Sequence, residues 1–72
     1  MELTEAQKRA VSTGLAMIMH HYWDYERRFQ EGELHIDEDG NTPRERLHAA
    51  RYAANENCKV LSEMLGQEWR PL

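Results

Sequence analysis

The sequence predicts an all-α fold. A single domain, residues 1–72, forms an antiparallel hairpin of two helices, about 4–31 and 42–66, and the hairpin is expected to dimerise into a four-helix bundle. Three observations carry this expectation. Helix starts at Thr4 and Thr42 are each answered by a glycine stop, Gly32 and Gly66. Between starts and stops, apolar residues recur at spacings of three and four. The chain is also short enough that its core is marginal, since a domain of about 60 residues buries only about 60% of its unfolded surface; the alternative to a dimer is a monomer whose loop and tail cover the shoulders with Leu34, Ile36, Trp69 and Leu72.

The first helix opens on Thr4-Glu5-Ala6-Gln7, a capping box in which Thr4 accepts from the Gln7 amide and Gln7 reaches back. Its seam is Val11, Leu15, Ile18, Tyr22, Tyr25 and Phe29, spaced 4, 3, 4, 3 and 4. Ala10, Met17 and His21 lie to one side of that seam, with Met19 and Trp23 to the other. A stripe with two shoulders implies more than one neighbour. Gly14 interrupts the helix at a cost of about 1 kcal/mol relative to Ala, which a closely approaching helix would justify.

Residues 32–41 form an acidic connecting loop. Asp39-Gly40-Asn41 is turn chemistry, and Leu34 and Ile36 alternate with polar residues as if both tuck onto the helices. The second helix begins at Thr42-Pro43-Arg44-Glu45, with Thr at the cap, Pro at the first helical position and Glu at the third. Its seam is Leu47, Ala50, Ala54, Cys58, Leu61 and Leu65. Alanines in its first half allow a close approach to Tyr22, Tyr25 and Phe29 of the first helix. Val60 and Met64 make an apolar shoulder, and residues 67–72 are a tail that carries Trp69 and Leu72.

Composition limits the function. A chain of 72 residues leaves no room for a two-domain enzyme. Leu, Ile, Val and Phe together make 12 of 72 residues, about 17%, a fraction close to that of disordered chains; helical periodicity argues the other way. One cysteine, Cys58, excludes an internal disulfide, and no apolar run is long enough to span a membrane. The acidic start Met1-Glu2-Leu3-Thr4-Glu5 is unlike a signal peptide, so a cytoplasmic protein is expected. A net charge of −4 disfavours nucleic acid as a partner.

Candidate chemistry is sparse. His20, His21, His35, His48 and Cys58 show no recognised metal-ligand spacing, and no metal or other cofactor is expected. Asp37-Glu38-Asp39-Gly40-Asn41 starts like a calcium loop, but Thr42 stands where Gly is required and His48 where Glu is required. No Ser-His-Asp arrangement or Gly-rich phosphate loop is present, so a noncatalytic protein is expected. Surplus apolar surface on capped helices instead points to binding another protein, as a small dimeric inhibitor or adaptor. Met19, Trp23, Arg27 and Tyr52 are the expected contacts. Met17, Val60 and Met64 are the expected oligomer interface. In a competing reading an anionic nucleotide is held at the loop end by Arg28, Arg44, Arg46 and Arg51, although the acids of the same loop can neutralise them.

In general form the chain resembles the small helical proteins that phages and mobile elements encode to block host systems, including anti-CRISPR proteins, anti-quorum-sensing proteins and cyclic-nucleotide sponges. The likeness rests on a short acidic chain, helices capped at Thr4 and Thr42, and off-seam Met19 and Trp23. Pro43-Arg44-Glu45-Arg46-Leu47-His48-Ala49-Ala50-Arg51 is similar to the second helix of the sponges. Their fuller pattern is missing, so no residue roles carry over.

Overall fold

The structure is a computed structural model that describes residues 2–72. It is all-α: helix α1 spans Glu5–Gln30 and helix α2 spans Pro43–Met64, with no strand among the described residues. Gly14 faces Leu61, Tyr25 lies under Arg46 and Tyr22 meets Arg51, so the helices run antiparallel as a hairpin. The molecule is one layer deep, extending 44 × 21 × 16 Å. Among the described residues no helix is long and apolar enough to cross a membrane.

Local chemistry fixes all four helix ends. Thr4 accepts from the Gln7 amide at 3.1 Å, and the Gln7 side chain accepts from the Thr4 amide at 2.8 Å. Thr42 and Glu45 repeat the exchange at 3.2 and 3.3 Å, so two otherwise unpaired amides are satisfied at each start. Both ends close as Schellman motifs. Gly32 takes φ +73°, its amide donates to Phe29 and the Glu33 amide donates to Arg28; Gly66 takes φ +71°, its amide donates to Glu63 and the Gln67 amide donates to Ser62.

Packing follows the seam. Tyr22, Leu47 and Ala54 form the central cluster, with Ile18, Tyr25, Phe29, Ala50 and Leu72 packed against it. Cys58 is fully enclosed, and burial pushes its thiol pKa up, so it behaves as a small apolar side chain. Two expectations need correction. A Cβ at Gly14 would sit 3.9 Å from Leu61 Cδ1, an ordinary contact, so close approach does not require this glycine. In the loop only Leu34 tucks in; Ile36 is 65% exposed.

The tail folds back onto one flank. The Asn55 side-chain oxygen accepts from Trp69 Nε1 at 3.3 Å and from the Leu72 amide at 2.7 Å. Leu72 thereby reaches the central cluster.

Thr42→Ala should lower stability by about 1 kcal/mol through loss of the cap, read by urea denaturation. Gly14→Ala should raise it by up to about 1 kcal/mol, since the methyl has room and Ala favours the helix. A loss at Gly14→Ala would show that the groove side of α1 cannot take a methyl.

Candidate functional site

At about 100° per residue, each helix carries a seam with two flanks. On one flank the tail fills the space between the helices. On the other, no described residue does. There an open groove of about 470 Å³ runs between Met17, Ile18 and His21 of α1 and Ala50, Ala53 and Asn57 of α2. Its floor is the core itself, Tyr22 and Ala54. Beside it stand Met17, Val60 and Met64, which are 67%, 57% and 48% exposed. By helical phase these three expected interface residues share one face.

The expected partner contacts divide. Met19, Trp23 and Arg27 form a row at i, i+4 and i+8 along α1 on the tail side. Met19 is half-buried rather than open. Trp23 is 45% exposed, with the His20 ring edge-on at 5.6 Å. Arg27 is held by Asp24 at 2.8 Å and Glu31 at 2.9 Å on its own helix. Tyr52 is exposed but lies about 160° from the α2 seam, so it faces away from that row.

The arginines do not converge on a ligand site. Arg28 pairs with Glu33 at 3.9 Å, and Arg46 pairs with Asp37 at 4.0 Å while donating to the His35 carbonyl at 2.7 Å. Arg51 donates through Nε to the Tyr22 hydroxyl at 2.6 Å and approaches Glu26 at 3.5 Å. Among the described residues only Arg44 of this set makes no ion pair, beside a cleft shared with Phe29, Leu47 and His48. Self-neutralisation therefore describes most of this cluster.

Two polar networks stand behind these surfaces. The Tyr22 hydroxyl donates to Glu26 at 2.9 Å while accepting from Arg51, so one core side chain links both helices. Burial raises the Tyr22 pKa, Arg51 lowers it and Glu26 raises it further, giving a net rise. In the loop, Asp37 Oδ1 accepts from the Asp39 and Asn41 amides at 3.0 and 2.9 Å. Those bonds, the Asn41 amide first, hold the Asp37 carboxyl below its ordinary range. The Asp37 carboxylate thus organises its own turn. No group of three or more His, Cys, Asp or Glu among the described residues could hold a metal.

No sequence pattern singles out Asn55, a polar residue in mid-helix whose partners lie in the distant tail. The groove, in contrast, was visible in part: Met17, Val60 and Met64 lie off both seams. Compared with known proteins, the chain matches no family model, and no curated protein or solved structure is significantly similar to it.

Tyr22→Phe should cost about 0.5–1.5 kcal/mol with helicity unchanged, because it removes the hydroxyl's hydrogen bonds to Glu26 and Arg51, which remain paired with each other. The pH profile should fall at both extremes. Tyr22 has a raised pKa, so its contribution holds below about pH 10.0 and is lost as pH rises through the raised value. Asp37, and Asp24 beside Arg27, have lowered pKa values; their contributions hold above about pH 3.8 and are lost as pH falls through the lowered values. Melting temperatures across the pH range would check both signs.

Proposed function

We propose that this chain is a noncatalytic protein–protein interaction module that works as a homodimer. In this reading two hairpins meet through the face of Met17, Val60 and Met64 as a four-helix bundle. The α1 row of Trp23 and Arg27, with Tyr52 elsewhere on the surface, remains available to another protein as the contact of a small inhibitor or adaptor. A cytoplasmic place of action suits the free thiol of Cys58.

The observation that carries the reading is the uncovered groove face. Met17, Val60 and Met64 are about half or more exposed on a hairpin whose buried apolar residues are few: Tyr22, Leu34, Leu47, Ala54 and Cys58. Full burial of such side chains is worth about 1.5–3 kcal/mol each, a large share of the 5–15 kcal/mol that stabilises ordinary domains. The tail removes this exposure on one flank only.

Sedimentation equilibrium at micromolar concentration should return twice the 8.5 kDa chain mass, with a melting temperature that rises with protein concentration. Met17→Glu or Met64→Glu should give the monomer. A melt independent of concentration at 8.5 kDa would overturn the reading.

A further inference from the structure

On the tail side of the hairpin the structure shows what covers the helices. Residues 67–72 lie there as a segment without helix or strand. Their polar anchor is a single atom. Asn55 Oδ1 accepts from Trp69 Nε1 at 3.3 Å and from the Leu72 amide at 2.7 Å. A side-chain carbonyl oxygen has two lone pairs, and the tail takes both. The apolar anchor is Leu72, packed against the cluster of Tyr22, Leu47 and Ala54.

Between these anchors the tail is loosely attached. Gln67 makes the last backbone hydrogen bond, to Ser62; among the described residues, only the two bonds to Asn55 tie residues 68–72 to a helix. An open cleft of about 490 Å³ lies between Lys59 and Glu63 of α2 and Glu68, Trp69 and Pro71 of the tail, so the segment does not lie flush on the helix. Its shape is set locally instead. Pro71 fixes its own φ and disfavours helical backbone at Arg70, so the end of the tail is extended before it docks and loses little freedom on docking. Folded domains take extended peptides in the same way, with fixed partners for backbone groups and pockets for selected side chains.

We infer that the flank centred on Asn55 is a recognition site for an extended segment of another protein, one that offers an indole N–H and, three residues on, an aliphatic side chain behind a proline, and that the chain's own tail is a resident ligand which such a segment displaces. This rests on the interaction-module reading above and names the partner's chemistry and the contact that regulates access. By helical phase Met19 and Trp23 border the same flank, so the expected partner row adjoins this site rather than the groove.

The test uses a hexapeptide of residues 67–72, blocked at both ends, titrated into the full chain and followed by calorimetry, with circular dichroism on every sample. The unaltered chain should bind it weakly, because the seated tail competes. The full-length variant Trp69→Ala/Leu72→Ser should keep its helicity and bind the peptide about tenfold or more tightly, because its site is open. Adding Asn55→Leu should abolish that binding. A peptide with Phe in place of Trp69 lacks the N–H and should bind about three- to tenfold more weakly. Hydrogen exchange on the unaltered chain supplies a second measurement: the Trp69 indole and the Leu72 amide should exchange together through one local opening, faster than the amides of Tyr22 and Ala54. Lost helicity or no peptide binding in the double variant, equal affinity for both chains, binding that survives Asn55→Leu, or tail exchange only in step with Tyr22 and Ala54 would overturn the inference. Intermolecular contacts between Trp69 and Asn55 in a mixture of labelled and unlabelled chains would make a second copy the occupant and overturn it as well. None of these outcomes touches the Met17 face, which the concentration dependence of melting reads, so the two readings fail separately.

Discussion

Two helices make one layer, and a layer has two faces but only one seam. Every other feature of this molecule answers to that constraint. The seam is occupied by Tyr22, Leu47 and Ala54, and Tyr22 closes it twice, through its ring in the core and its hydroxyl on Glu26 and Arg51. Beyond the seam each flank needs its own cover. The chain supplies one cover, the tail that Asn55 pins through two hydrogen bonds. It supplies none for the groove between Met17 and Ala53.

Charge follows the same division. The arginines at the loop end are mostly paired with neighbouring acids, Arg27 with Asp24 and Glu31, Arg28 with Glu33, Arg46 with Asp37. These exposed pairs contribute little stability each. Their effect is to leave the loop end locally neutral, which weakens the case for a nucleotide there. The groove walls Met17, Ile18, His21, Ala50, Ala53 and Asn57 include no Asp, Glu, Lys or Arg, while Arg28 and Arg46 share the flank nearer the loop by helical phase.

Much of the fold was legible in the sequence because it rests on local chemistry. Thr4 with Gln7 and Thr42 with Glu45 are reciprocal bonds within four residues, and Gly32 and Gly66 adopt the positive φ that ends each helix. Periodicity then located both seams. What could not be read depends on the third dimension. Leu34 and Ile36 look alike in sequence, yet the path of the loop buries the first and exposes the second. Met19 and Met17 look equally off-seam, but the tail folds to the flank of one and leaves the other open. Arg51 is indistinguishable by pattern from Arg44 until Tyr22 is placed opposite it.

In the homodimer we propose, the groove face meets its own copy. The most direct measurement is isotope-filtered NMR on a mixture of labelled and unlabelled chains at pH 7.5, read for contacts between molecules. Intermolecular contacts from the Met17 methyl to the Ala53 methyl, with others to Val60 and Met64, are the predicted result. Contacts that map to Trp23 and the tail, or none at concentrations where sedimentation finds a dimer, would contradict it.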